Sequence, residues 1–239
     1  VSEQPPGGLD PFFEVLGQQY VKVNPNFPGL RIVNIDPPVF TIDGILSEDT
    51  CDALIKTAGR LNMRKSGVGG SQAADVRTSS TLACTKDVLK RNPALQNRLE
   101  QVLAQARDLM PVGGWDKQKK GYNKPSKPGA YAFELPQVAR YVSGEHFLSH
   151  EDAFPYPVAQ EKQYQRRATL LVYLNNVPNG GATHFDHLNI HVQPKKGMGL
   201  LFFPSFANGV PDDRTLHTAV DAQDEKWITQ LWVSWGMPR

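Results

Sequence analysis

From Ala130 to the C-terminus the chain is a succession of short apolar runs separated by turn residues, and nothing in that half keeps a helical period. The runs fall at 137–142, 168–174, 199–203, 216–220 and 227–235. They have the length and the branched and aromatic content of strands. Their connections carry Asn, Gly and Pro, most densely in Asn175-Asn176-Val177-Pro178-Asn179-Gly180-Gly181, residues that set turns. Successive strands without crossover helices pair antiparallel, and the compact solutions are a barrel or a jelly roll.

Helices come before this β region. Ser47 precedes Glu48 and Asp49, the composition of a helix start, and Leu54, Ile55, Ala58 and Leu61 form one apolar face behind it. Asn92-Pro93 reads as a second start, a capping side chain followed by proline at the first helical position. Leu95, Leu99, Val102, Leu103 and Ala106 line that helix until Pro111. The expected fold class is mainly β with flanking helices: helical support over 47–110, after a strand at 39–45, and a jelly-roll core over 130–236. Residues 1–38, with Pro5, Pro6, Pro25 and Pro28, read as an extended N-terminal arm holding at most a short helix at 12–19, ahead of a single domain over 39–239.

Composition narrows the function classes. Hydrophobic residues make up 40% and charged residues 21%, and no apolar run is long enough for a membrane span. A net charge of +2 and a pI near 8.5 are too mild to argue for a nucleic-acid partner. Two cysteines, Cys51 and Cys84, leave room for one bridge but no disulfide framework. The chain starts at Val1, which leaves room for a removed leader or anchor. Two loops stand out. Residues 63–76 are small and flexible in composition and read as a surface loop or a lid. Residues 112–130 interleave lysines with Trp115 and Tyr122 and read as a solvated basic loop.

The chemistry-bearing stretch is Tyr141-Val142-Ser143-Gly144-Glu145-His146-Phe147-Leu148-Ser149-His150-Glu151-Asp152. Residues two apart on a strand share a face, so His150 and Asp152 can face one ion in extended chain. His217 can add a second imidazole, completing the two-histidine, one-carboxylate set of a non-haem Fe(II) site. A second triplet, His184-Phe185-Asp186, lies near His187 and His191, and that cluster reads alternatively as a zinc site on a jelly-roll binding module. Composition does not choose between the two triplets. Lys226, with hydroxyls from Tyr141 and Thr183, supplies the cation that a dicarboxylate cosubstrate would need.

Taken in order, these pieces resemble the prolyl 4-hydroxylase family of the collagen, plant and algal type, which are Fe(II)- and 2-oxoglutarate-dependent dioxygenases. The resemblance runs over about residues 39 to 236, through Arg77-Thr78-Ser79, Glu134-Leu135-x-Gln137-Val138-x-x-Tyr141, His150-x-Asp152, Gln165-Arg166, Tyr173-Leu174, Gly180-Gly181-Ala182-Thr183, Leu216-His217 and Lys226-Trp227. It implies a double-stranded β-helix with His150, Asp152 and His217 as iron ligands. It implies Tyr141, Thr183, Lys226 and Trp232 around 2-oxoglutarate, and Arg77, Ser79, Glu134 and Arg166 against a peptide. The segment 63–80 matches the family's substrate-covering loop. The implied cofactors are Fe(II), 2-oxoglutarate and O2, with ascorbate as reductant, and the implied partner is a proline-rich peptide or protein. Phe147 stands where relatives often carry tyrosine, and Ser234 where algal and plant members carry histidine. The family's tendency is towards the secretory pathway, while the chain itself carries no address and a cytoplasmic setting stays open. A 2-oxoglutarate oxygenase acting on another residue or on a folded protein is the alternative within the same chemistry. Nothing in the sequence speaks to oligomeric state.

Overall fold

Two antiparallel sheets face one another in the computed structural model, which describes residues 8–66, 75–116 and 124–238. The larger sheet takes β1 (Leu30–Asn34), β2 (Val39–Ile42), β11 (Gly199–Phe202), β8 (Tyr164–Tyr173), β13 (Lys226–Gly236), β6 (Gln137–Tyr141), β4 (Ser80–Ala83) and β3 (Arg64–Lys65) in that spatial order, with β5 (Tyr131–Phe133) also on β13. The smaller sheet is β10 (Ile190–Val192), β9 (Thr183–Phe185), β12 (His217–Ala219) and β7 (Phe147–His150). This is the jelly roll expected from the turn-punctuated runs.

The large sheet is covered on both faces, which is why its central strands read as unbroken apolar runs. Along β8, Ala168, Leu170 and Val172 belong to one buried cluster and Leu171 and Tyr173 to another. On β13, Trp227, Leu231 and Val233 join the first and Ile228 the second. Strand alternation therefore sends odd and even residues into two different cores. The first lies under the helices α2 (Glu48–Ala58), α3 (Lys86–Arg91) and α4 (Pro93–Leu109), which bury Leu54, Leu89, Leu95, Leu99, Val102 and Leu103 against the sheet. The second lies between the sheets and contains the site.

Local chemistry fixes the helix ends. Ser47 accepts a hydrogen bond from the Thr50 N–H, as an N-cap should. Asn92 does not cap α4 in this way. Its side-chain amide instead donates to the Val88 carbonyl and closes α3, leaving Pro93 alone to mark the start of α4. Helix α3, capped by Thr85, and strands β3 and β4 between the two expected helices escaped the sequence reading. So did the seven-residue helix α5 (Tyr156–Lys162) inside the β half.

The expected extended arm over 1–38 is corrected for its described part. Helix α1 (Leu9–Gln19) buries Phe13 and Leu16 in the main core, followed by Tyr20, Val21, Val23 and Phe27. Strand β1 pairs with β2, so the large sheet begins inside the supposed arm. Cys51 and Cys84 are both free and buried, so the bridge they left room for is not formed. No helix among the described residues is long and apolar enough to cross a membrane. Positions 67–74 of the expected lid and 117–123 of the basic loop lie outside the described residues.

Candidate metal centre

Strands β7 and β12 pair with His150 directly opposite His217, which sets the two imidazoles side by side, ring centroids 4.2 Å apart. Asp152 lies two residues past the end of β7, in a bend rather than in the extended strand the spacing suggested. There it crosses to the large sheet, where Thr169 on β8 donates to its Oδ2 at 2.7 Å and the Gln230 amide on β13 approaches the same oxygen at 3.5 Å. His150 Nε2 stands 4.0 Å from Asp152 Oδ1, and His217 Nε2 stands 4.0 Å from Asp152 Oδ2. Among the described residues this is the one group of three such side chains gathered closely enough to hold an ion.

The surroundings prepare these side chains as ligands. His150 Nδ1 is 2.8 Å from the Leu148 carbonyl and His217 Nδ1 is 3.0 Å from the Thr215 carbonyl. Each Nδ1 therefore carries the proton and donates it, which leaves both Nε2 lone pairs facing Asp152. Burial, then the neighbouring His217, lowers the His150 pKa to about 3, so the ring is neutral as a ligand must be. Burial opposes charge on Asp152 as well. His217, His150 and Arg166, with the Thr169 hydroxyl, outweigh it and hold the carboxyl below its usual range. Two imidazoles turned with Nε2 towards a fixed carboxylate are a fitting donor set for Fe(II) with positions left open.

At the start of β13, on the large sheet, stands Lys226, 1% exposed. Burial pushes its pKa down to about 7. Its Nζ donates to the Gly181 carbonyl at 2.6 Å and lies 5.1 Å from the Tyr141 ring centre and 5.8 Å from that of Tyr173. The Tyr173 hydroxyl shares a hydrogen bond of 2.7 Å with Thr183 Oγ1. No carboxylate pairs with Lys226 among the described residues, so a buried amine beside two tyrosine rings is left without a counter-ion. A ligand carboxylate would supply it. Gly180 makes the turn behind this bowl: its φ is +67°, and a Cβ there would lie 2.3 Å from the Asp221 carbonyl oxygen.

The expected cosubstrate group is thus divided. Tyr141, Thr183 and Lys226 come together, but Trp232 does not join them. It lies six residues along β13, about 20 Å at the usual strand rise, with the Arg166 guanidinium 3.8 Å above its ring. Arg166 in turn makes a two-pronged pair with Glu134, both bonds 2.8 Å, and reaches the Asp152 carbonyl at 3.2 Å. Ser234 donates to the same Glu134 carboxylate at 2.6 Å. Arg77 is buried over the Phe147 ring at 4.9 Å, bonded to Ser79 and Thr81 at 3.3 Å each, and Phe147 stacks on His150 at 3.4 Å. Tyr173 and Gln230 were missed as lining residues. Reading β13 by twos from Lys226 gives Ile228, Gln230 and Trp232, a signal that could have found Gln230.

The rival triplet is on the wrong face. On β9, Thr183 and Phe185 point inward, so His184 points out, opposite Thr218 rather than His217. His184 stacks on its cross-strand partner His191 at 4.0 Å, and His187 is exposed. The three do not gather their nitrogens into a metal site, which corrects the zinc reading of His184, His187 and His191. Asp186 has a different occupation: it accepts from Ser149 and Thr218, the neighbours of His150 and His217, and ties the two ligand strands together from outside.

A further network braces His217. The buried Asp212 accepts from Tyr20 at 2.9 Å and holds Arg214 through both oxygens at 2.7 and 2.8 Å. The Thr215 hydroxyl donates to the Asp212 carbonyl at 2.7 Å, and the Thr215 carbonyl is the one that orients His217.

Comparison with known proteins agrees with this geometry. Residues 136–234 match the model of the 2OG-Fe(II) oxygenase superfamily. Prolyl 4-hydroxylase 2 of Arabidopsis thaliana is 31% identical over 238 residues, covering 88% of this chain and 71% of the relative. Probable prolyl 4-hydroxylase 6 of the same plant is 29% identical over 222 residues, covering 82% and 69%. Among solved structures, the viral collagen prolyl hydroxylase of Paramecium Bursaria Chlorella virus-1 in its 2OG complex superposes with a TM-score of 0.57 at 26% identity, covering 82% of this chain and 96% of that one.

Proposed function

The chain belongs to the prolyl 4-hydroxylase family of 2-oxoglutarate- and Fe(II)-dependent oxygenases, and from that premise we propose that it hydroxylates prolyl residues of proline-rich peptides or proteins. One observation carries the proposal: the His150, Asp152 and His217 triad gathers between the two sheets, against a large-sheet strand that carries the buried Lys226 at one end and an arginine-braced tryptophan further along. The triad and the Lys226 bowl suit iron and 2-oxoglutarate, while Glu134, Arg166 and Trp232 line a cavity of about 300 Å³ with Tyr164 and Gln137, a fitting place for a peptide.

Fe(II) and 2-oxoglutarate, when bound, would supply with O2 as oxidant the chemistry in which one oxygen atom ends in succinate as the cosubstrate is decarboxylated and the other in the hydroxylated residue. The chain's own work is placement. His150, Asp152 and His217 would hold the metal, and Thr169 fixes the carboxylate's orientation. Lys226, Tyr141, Tyr173 and Thr183 would fix the remote carboxylate of the cosubstrate. Phe185, Phe202 and Ile228 are buried around the site and keep it dry, which strengthens each polar contact inside. Arg77 and Phe147 wall the site beside His150, and the Arg166–Glu134 pair keeps Trp232 in place as a flat apolar surface for a pyrrolidine ring. Proline-rich segments already favour polyproline II, so docking them costs little ordering entropy. Ascorbate fits as the reductant that keeps the iron ferrous.

The test is mass spectrometry of a proline-rich peptide after incubation with the protein, iron, ascorbate and 2-oxoglutarate in air. A product heavier by one oxygen atom on proline is expected. An unmodified peptide alongside 2-oxoglutarate turnover driven by a different amino acid would overturn the substrate assignment.

A further inference from the structure

A larger cavity, about 780 Å³, runs along the β3–β4 edge of the large sheet from Arg77 and Gln137 towards α3. Its charged lining is unbalanced: Arg64, Lys65, Arg77 and Arg91 contribute four cations against the single carboxylate of Asp87. Two of the four are already engaged, Lys65 with Glu145 and Arg77 with Ser79 and Thr81. Arg64 and Arg91 are exposed and make no ion pair among the described residues.

Gln137 joins this cavity to the smaller one over Trp232, because its side chain lines both. Its Oε1 is buried and has no hydrogen-bond partner, and an unmade bond of that kind is costly unless a ligand completes it. An extended peptide crossing Gln137 would bring an N–H to this oxygen. It would then run from the Trp232 surface past Arg77 into the cation-lined cavity, whose volume of about 780 Å³ exceeds what a single residue fills.

We propose that this cavity receives the segment flanking the target proline and favours acidic side chains there, so that the preferred substrate carries Asp or Glu a few residues from the hydroxylated position. The inference rests on the peptidyl-proline reading of the site. The surplus positive charge, not a pocket for one side-chain shape, sets the preference. It therefore weakens with salt, as exposed charge interactions do.

The test uses the protein loaded with Fe(II) and 2-oxoglutarate without oxygen, so that binding is read without turnover. Fluorescein-labelled proline-rich peptides carry Glu, Ser or Lys at matched positions on either side of one central proline, and fluorescence anisotropy gives the dissociation constants. The Glu peptide with the charge on the cavity side is expected to bind about five-fold tighter than the Ser peptide at low ionic strength, and the Lys peptide more weakly than either. In the double variant Arg64→Ser, Arg91→Ser the Glu-to-Ser ratio should fall towards one. Equal binding of the three peptides, or a Glu advantage that survives both substitutions, overturns the inference. Admitting air afterwards separates the two levels: hydroxylation of all peptides without charge preference removes only this inference, whereas binding with no prolyl hydroxylation removes the functional reading beneath it.

Discussion

Lys226 shows what one residue contributes to this site. Its ammonium is buried among Tyr141, Tyr173 and Thr183, and burial alone brings its pKa down to about 7. A bound carboxylate favours the charged form and raises that pKa again, so cosubstrate binding takes up a proton wherever the free lysine is already neutral. The sign follows: affinity for 2-oxoglutarate should be level below pH 7 and weaken as pH rises beyond it. Anaerobic calorimetry across pH 6 to 9 in two buffers of different ionisation heat would read both the affinity and the proton uptake. An affinity that improves with pH would contradict the assignment. Replacing Lys226 by Ala should raise the apparent 2-oxoglutarate requirement on the order of ten-fold or more, the usual cost of removing one partner of a buried charged contact. The Thr169 hydroxyl acts on the metal through Asp152. Thr169→Val should weaken Fe(II) binding by about ten-fold, within the range for outer ligand supports, while leaving the fold intact; an unchanged metal affinity would show that the hydroxyl does not orient the carboxylate.

At the scale of elements, the site is a product of register. β7 opposite β12 sets His150 against His217, and β13 opposite β6 sets Lys226 against Tyr141. The large-sheet strands β6, β8, β11 and β13 were legible in the chain, because that sheet is covered on both faces and its central members are near-continuous apolar runs. What was not legible has physical causes. β7 and β9 are short and mix polar with apolar residues, since one face binds ligands and the other meets water. The stretch from Tyr141 to Asp152 contributes to both sheets and then leaves them, a path that no run of apolar residues marks. His150-x-Asp152 was visible as a pair, but the bend that brings Asp152 to Thr169 was not. The brace behind His217, running from Tyr20 through Asp212 and Thr215, joins residues far apart in sequence and leaves no local pattern. Substituting Asp212 by Asn removes the charge that holds Arg214 and Tyr20. It should weaken Fe(II) affinity several-fold, within the range for outer supports, with little change in 2-oxoglutarate affinity once iron saturates. Equal losses in both would point to general unfolding instead.

Across the whole molecule, the helices and the N-terminal segment form one layer, the large sheet a second and the small sheet a third, with the chemistry confined between the two sheets. The N-terminal residues belong to this stack. Helix α1 and strand β1 place Phe13, Leu16, Tyr20, Val21, Val23 and Phe27 in the main core, and full burial of each such side chain is worth about 1.5–3 kcal/mol. Scattered prolines and glycines interrupt that stretch of sequence and hid its apolar anchors. Removing residues 1–34 should therefore cost more stability than a domain of this size can lose, giving insoluble or unfolded protein by circular dichroism, where a detached arm would come away harmlessly.

On the proposed function one iron centre, held by His150, Asp152 and His217, is responsible for turnover, and the second His-x-Asp triplet stays on the outside of the small sheet. Succinate release from 2-oxoglutarate, measured with and without a proline-rich peptide, puts that to the most direct test. Peptide-stimulated succinate is expected from the unaltered protein, none above background from His217→Ala, and retained stimulation in His184→Ala. Full turnover by His217→Ala, or its loss in His184→Ala with the fold intact, would contradict that expectation.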